Sequence, residues 1–155
     1  MLSKERMNAL IRIAMEEADA AVERGDDPYG GAIVDQEGNI FVRNGNRQNT
    51  EQNPAAHAEM VLIREAAKKL GSNDLSGYIS VCNAESCPMC ASALVIAGIK
   101  EFYFGAWFED GFQPNIQMSV VKDACYDNII LEGGILANEC SAGIKRGREK
   151  LSKNV

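Results

Sequence analysis

Helical and strand-like hydrophobic patterns alternate along this chain, and the alternation limits its fold more than any other feature. Apolar residues recur at spacings of three and four over residues 4–24, which predicts a first helix that ends at Gly25. Two short apolar segments, 30–34 and 39–43, then flank a polar turn that contains a glycine. This arrangement predicts a β-hairpin after the first helix.

The same alternation continues to the end of the sequence. The patterns predict a second helix over about 56–70, a strand over 78–82, a third helix opening near 87, strands over 101–105 and 129–133, and a closing helix over 135–151. Strands that alternate with helices of these lengths predict a layered α/β sandwich around one mixed sheet. A length of 155 residues predicts one domain spanning 1–155.

Composition narrows the setting in which the chain works. No apolar run is long enough to cross a bilayer, and the N-terminal residues become charged and amphipathic at once, unlike a signal peptide. Five cysteines form an odd set, which favours reduced thiols over a disulfide framework. We therefore expect a cytoplasmic protein.

Net charge bears on the class of substrate. The formal charge is −6 and the pI is about 4.9, so a broad positive surface for nucleic-acid phosphates is not expected. Basic residues do gather near the C-terminus, and we interpret them as cations that stabilise the end of a helix rather than as an RNA contact. They are Lys145, Arg146, Arg148, Lys150 and Lys153. The expected partner is a small molecule, with no membrane and no nucleic acid.

Two short motifs carry the candidate chemistry, and each stands at the start of a predicted helix. One contains His57 and Glu59, and the other contains Cys87 and Cys90. Cysteines three apart on a helix present their sulfurs to one side, and the positive helix end favours the thiolates that a metal needs. If the two helix starts converge, His57 becomes a third ligand. Three protein ligands leave a tetrahedral zinc one open position for water, as in catalytic zinc sites.

Glu59 has a different expected role. It lies two residues after His57, about 200° further round the helix, so the two side chains do not share a face. We expect its carboxylate beside the metal rather than on it. There it can take a proton from water and deliver it to a bound substrate.

Each motif taken alone has another interpretation. The C-x-x-C pair follows a strand and opens a helix, so it could be a thioredoxin-like redox pair, and a lone histidine is more often a core or surface residue than a ligand. The combination favours zinc, because H-x-E followed by C-x-x-C is the signature of the zinc nucleobase deaminases, in which the glutamate is the acid/base.

At these residues the sequence resembles the cytidine deaminase-like superfamily, in the branch that holds guanine deaminases and tRNA adenosine deaminases. The resemblance runs through 27–34, 45–47, 53–66, 74–81, 85–94 and 102–106. It implies a three-layer α/β/α sandwich with a central five-stranded mixed sheet, Zn²⁺ as cofactor, and a homodimer whose partner helps to close the pocket. Ser86 stands where the family normally has proline, which we expect to alter the loop modestly and to leave the ligands in place.

The resemblance also implies the substrate contacts. Asn46 matches the family's asparagine that hydrogen-bonds the ring, although as a bare residue it would be a turn former. The backbone amide of Ala58 is a further expected contact. Tyr29 and Trp107 are expected in the pocket wall, where an aromatic residue near a strand end can equally be core.

The choice of substrate depends on the segment after the 101–105 strand. The tRNA enzymes normally continue with arginine and aspartate, whereas this chain has Trp107 and Phe108. Guanine deaminases carry an aspartate that helps to protonate the leaving amine, and Asp110 stands in that register. Residues 133–140 instead resemble the C-terminal helix of the tRNA enzymes.

Weighing these signals, we expect deamination of a purine base or nucleoside, with guanine first. The alternatives are tRNA adenosine-to-inosine conversion and deamination of a cytosine-type base or nucleoside. A non-catalytic zinc-bearing subunit is a third class, which the presence of Glu59 disfavours.

Overall fold

The computed structural model describes residues 1–108 and 113–155. In chain order the elements are α1 (Lys4–Arg24), β1 (Gly30–Val34), β2 (Ile40–Gly45), α2 (Ala58–Leu70), β3 (Ile79–Ala84), α3 (Pro88–Ile96), β4 (Glu101–Ala106), α4 (Met118–Asp123), β5 (Ile130–Glu132) and α5 (Ala137–Lys153). Every predicted element is present, with ends shifted by two residues or fewer. Helix α4 was not predicted, because six residues are too few to show a helical period.

The five strands form one mixed sheet in the order β2-β1-β3-β4-β5. Strand β1 runs antiparallel to both β2 and β3, whereas β3, β4 and β5 are parallel. Helices α1 and α5 pack on one face and α2, α3 and α4 on the other. The predicted three-layer α/β/α sandwich is confirmed.

Strand β1 shows why its sequence is apolar throughout. Ala32 and Val34 pack into the cluster under α1 and α5, whereas Ile33 packs into the cluster under α2 and α3. A strand that is buried on both faces has no polar positions, so its sequence reads as a continuous apolar run.

Among the described residues, no helix has the length and apolar character that a membrane span requires.

A pair of glycines brings two predicted pocket residues together. Gly30 and Gly45 face each other across β1 and β2, and a Cβ on either one would lie 2.4 Å or 2.6 Å from the backbone of α1. Helix α1 can rest on this pair only because neither residue has a side chain. The next residues outward are Tyr29 and Asn46, and the backbone amide of Asn46 donates to the carbonyl of Tyr29 at 2.9 Å.

The same edge of the sheet collects the other functional segments. Strands β3 and β4 end there side by side, with Ala84 opposite Ala106, so that Glu85 and Trp107 leave the sheet together. The N-termini of α2 and α3 lie at this edge as well, since both carry residues of one cavity. The carboxyl ends of parallel strands are the usual place for a site in an α/β sheet.

Candidate active site

The three predicted metal ligands converge at two helix N-termini. His57 is the N-cap of α2, Cys87 is the N-cap of α3, and Cys90 lies in the first turn of α3. Their donor atoms lie within 4.8 Å of one another, and His57 Nδ1 is 3.4 Å from Cys87 Sγ. Ordinary zinc bond lengths place a nitrogen and a sulfur ligand about 3.6 Å apart on a tetrahedron. The donor types and their spacing therefore fit a tetrahedral zinc ion.

The three donors also polarise one another. The pKa of Cys87 is lowered to about 4, chiefly because the Cys90 thiol donates a hydrogen bond to the Cys87 sulfur. The hydrogen bond with His57 lowers this pKa as well. The pKa of Cys90 is raised, because its thiol donates to Cys87 and is buried. The pKa of His57 is raised, chiefly by its hydrogen bond with Cys87. Zinc binding would need the thiol and imidazolium protons released, which couples metal affinity to pH.

Glu59 lies beside the cluster. It belongs to the first turn of α2, is only 7% exposed and lines the cavity. Its carboxylate is within hydrogen-bonding reach of Cys90 and is among the causes that raise the pKa of that thiol. This position, next to the three donors and open to the cavity, is suitable for moving protons.

A cavity of about 680 Å³ opens in front of these residues. Tyr29, Asn46, Ala58 and Trp107 all line it, as does His57. Its volume falls within the range of sites that enclose drug-sized ligands, so it can hold more than a single base. Asp110, the predicted second acid, lies outside the described residues.

The amide of Asn46 is held in one orientation. Its side-chain oxygen accepts from the backbone amide of Gln48 at 3.0 Å, and its nitrogen donates to the Gln48 side chain at 2.7 Å. Asn46 is 1% exposed, and Arg24 donates to its backbone carbonyl at 3.1 Å. After these bonds to Gln48, the Asn46 amide still has one N–H and one lone pair. It can therefore donate one hydrogen bond to a ring and accept one from it.

Sequence reasoning missed several residues of the cavity wall. They are Asp27, Gln48, Asn83, Glu85 and Arg148. Glu85 carried one usable signal, because a charged residue directly after an apolar strand and two residues before a ligand is unusual in a buried segment. Asn83 and Arg148 lie in elements that only the tertiary fold brings to the cavity, whereas Asp27 and Gln48 lie in loops, each two residues from a predicted pocket residue.

Arg148 qualifies the interpretation of the C-terminal basic residues. It lies on α5, and Lys150 and Lys153 do stand in the last turn of that helix as expected. However, Arg148 also lines the cavity, with its guanidinium 5.9 Å from the centre of the Tyr29 ring and donating to the Tyr29 hydroxyl. At least one of these cations is therefore placed at the site.

Comparisons with known proteins identify what this arrangement resembles. The family model of the cytidine and deoxycytidylate deaminase zinc-binding region matches residues 4–106. A tRNA-specific adenosine deaminase of Bacillus subtilis is 34% identical over 141 residues, which cover 90% of this chain and 87% of the relative. The guanine deaminase of the same organism is 34% identical over 94 residues, 61% of this chain and 60% of that enzyme.

A solved structure from a study of A-to-I editing by tRNA:A34 deaminases has a TM-score of 0.77. It is 29% identical, and the match covers 87% of this chain and 98% of that one.

Proposed function

This chain belongs to the cytidine and deoxycytidylate deaminase family, and from that premise we propose that it deaminates adenosine in RNA, with a tRNA loop as the substrate. It is a zinc-dependent hydrolytic deaminase that acts on an exocyclic amine. The match that carries the proposal is the one to a tRNA-specific adenosine deaminase, because it extends over 90% of the chain. The guanine deaminase match extends over 61% of the chain, so the comparisons favour the tRNA alternative over guanine, the substrate that the sequence analysis places first.

One exposed cation in the cavity wall, Arg148, supports an RNA substrate. Helix α5 contributes Ile144 and Arg148 to the cavity wall, and Lys145 is exposed next to Ile144, whereas Lys150 pairs with Glu23 of α1. Phosphate contacts depend on such local groups, whereas the net charge of −6 averages over the whole surface. The acidic composition therefore does not exclude a nucleic-acid substrate.

We propose His57, Cys87 and Cys90 as the zinc ligands. Zinc held there would supply the Lewis acidity that makes water a competent nucleophile at neutral pH. Asn46 and the backbone amide of Ala58 hold the ring by its polar edge, and Tyr29 and Trp107 flank it. In this proposed arrangement the amine-bearing carbon would lie next to the three ligands.

Glu59 carries the protons of the reaction. Its carboxylate takes one proton from the attacking water and delivers it to the ring nitrogen. It then takes the proton of the hydroxyl group that has been added to the ring carbon and delivers it to the amine, which leaves as ammonia while that carbon–oxygen bond becomes a carbonyl. The burial of Glu59 in the cavity wall supports this role.

We also propose that the protein is a homodimer. Helix α3 is almost wholly apolar in sequence, yet Ile96 is 85% exposed and Met89 is 39% exposed. Val120 of the neighbouring helix α4 is exposed too. A helix that is apolar all round is normally buried, which a second copy of the chain would accomplish here.

The first prediction tests the substrate class. We expect adenosine-to-inosine conversion in an anticodon stem-loop, with an apparent affinity that falls steeply as salt rises from 50 to 200 mM, because phosphate contacts release counterions. Ammonia release should be followed in parallel over guanine, guanosine, adenine, adenosine, cytosine and cytidine. Turnover of guanine with weak salt dependence, and none of the stem-loop, would contradict the proposal.

Arg148 sharpens the same test. Arg148→Gln should weaken stem-loop binding. It should also reduce the slope of log affinity against log salt concentration by about one for each phosphate contact that is lost. Arg12→Gln is the matched control, since Arg12 is exposed on α1, pairs with Glu139 and is outside the cavity wall.

Deamination of free guanine is the second candidate. It is favoured by the guanine deaminase relative and by the register of Asp110. If guanine is the substrate, Asp110→Asn is expected to lower its turnover by about 10²-fold, the usual effect of losing an acid/base group. Asp123→Asn on α4 serves as the control, and steady-state ammonia release gives the comparison. Full guanine activity in the Asp110 variant would make that carboxylate an ordinary loop residue.

A further inference from the structure

A buried carboxylate ties the wall of the cavity to the turn that carries the metal ligands. Glu85 is 9% exposed and lies two residues before Cys87. One of its oxygens accepts from the backbone amide of Phe108 at 3.0 Å, and the other accepts from the backbone amide of Met118 at 2.9 Å. Neither bond belongs to a strand or helix ladder, and the reaction steps above make no use of this group.

The two amides that donate to Glu85 come from different segments near the cavity. Trp107, Phe108, Gln113 and Pro114 line the cavity, and we call these four residues the pocket wall. The Phe108 amide belongs to the end of the wall next to β4. The Met118 amide opens α4, beyond the other end. Glu85 therefore accepts hydrogen bonds from one residue of the pocket wall and from the first residue of α4.

The hydrogen bond from the Met118 amide to Glu85 takes the place of a side-chain N-cap on α4. Gln117 is the N-cap of α4 but makes no side-chain capping hydrogen bond. The first amides of a helix need acceptors from elsewhere, and an anionic acceptor also interacts favourably with the helix dipole. The carboxylate of Glu85 supplies both from a residue 33 positions away in sequence.

The backbone of Glu85 fixes its own position. Its amide donates to the carbonyl of Ala106 at 2.8 Å, which extends the pairing of β3 with β4 by one residue. The carboxylate is thus anchored to the rigid end of the sheet, while its two acceptor bonds reach outward to the pocket wall. Hydrogen bonds to an ionised acceptor are about twice as strong as those between neutral groups.

We propose that Glu85 is a positioning residue that holds the pocket wall in place and thereby sets the affinity for substrate. It acts through Trp107 and its neighbours and does not take part in proton transfer. The proposal concerns the same cavity as the proposed function, but its first two tests need no substrate.

The first test uses the single tryptophan of the chain as a reporter. Trp107 stands edge-on to Phe104, with ring centres 5.0 Å apart. Trp107 is already 58% exposed, so its mobility is the more informative reading. In the zinc-loaded protein, Glu85→Gln should lower the fluorescence anisotropy of Trp107 and increase its quenching by acrylamide, because glutamine turns an N–H₂ group toward one of the two backbone donors. Glu37→Gln, an equal charge change in the exposed β1–β2 turn, should leave both readings unchanged.

The second test uses the unaltered protein. Hydrogen–deuterium exchange should show the backbone amides of Phe108 and Met118 to be protected, although neither belongs to a ladder of backbone bonds. If both exchange as fast as exposed turn amides, the proposal is overturned, whether or not any Glu85 variant folds.

The third test separates binding from chemistry. With the substrate found in the screen, Glu85→Gln should raise KM by about tenfold or more and change kcat by less than about threefold, with one zinc retained per chain. A fall in kcat at constant KM would overturn the proposal, as would loss of zinc with unchanged Trp107 fluorescence, which would assign Glu85 to the ligand turn. If no substrate is turned over, the proposed function fails, while fluorescence and exchange still decide the role of Glu85.

Discussion

Replacing Glu59 with glutamine is expected to abolish turnover while about one zinc ion per chain is retained. Glutamine keeps the size of the side chain and its place in the cavity wall, but it cannot accept the proton from water. The loss should be at least the 10²–10⁴-fold typical of a general acid/base, because this one carboxylate serves successive proton transfers. Steady-state ammonia release measures kcat, and elemental analysis measures zinc.

Glu65→Gln provides the matched control. Glu65 is on the same helix, α2, but is outside the cavity wall, and glutamine can still accept the hydrogen bond that Glu65 accepts from Asn44. This variant should keep full activity. If Glu59→Gln retained wild-type turnover, another group would carry the protons. If it lost zinc, Glu59 would have to be counted among the groups that hold the metal.

Replacing Cys87 or Cys90 with alanine is expected to remove zinc and activity together. Each replacement leaves two of the three convergent donors, and two ligands hold zinc far more weakly than three. Zinc content by elemental analysis and ammonia release should therefore fall in parallel in both variants. Cys125→Ala is the control, since Cys125 follows α4 and is outside the donor cluster.

The alternative redox chemistry makes the opposite prediction. If the purified chain lacked zinc and its C-x-x-C thiols cycled through a reversible disulfide, the two cysteines would be a redox pair and the zinc assignment would be wrong. A variant that lost one cysteine but kept both zinc and activity would likewise remove that residue from the ligand set.

Local patterns predicted every element except α4, and together with the deaminase signature they predicted the three donors of the metal cluster. The period of α1 and its stop at Gly25 are properties of adjacent residues, and so is the apolar run of β1. His57, Cys87 and Cys90 could be recognised because ligand type and spacing are constrained by zinc chemistry and by the geometry of a helix start. The resemblance to known deaminases added Asn46, Ala58, Tyr29 and Trp107, and all four line the cavity.

The comparisons favour the tRNA alternative over guanine, which the sequence placed first, and the reason for the difference is physical. Net charge and one aspartate favoured guanine, but net charge does not say where the cations lie. Arg148 reaches the cavity only because α5 packs beside α1 on one face of the sheet, more than a hundred residues after Tyr29 in sequence. No local pattern contains that information.

Glu85 and the Gly30–Gly45 pair also have roles that the local sequence does not reveal and the tertiary structure does. The sequence shows a charged residue after a strand and two glycines in a hairpin, and each has a common explanation in its local context. Only the packed fold reveals that the carboxylate accepts from two distant backbone amides and that α1 rests on the glycines. Secondary structure and ligand sets follow from interactions between neighbouring residues, whereas the shape and charge of the cavity depend on contacts between elements far apart in the chain.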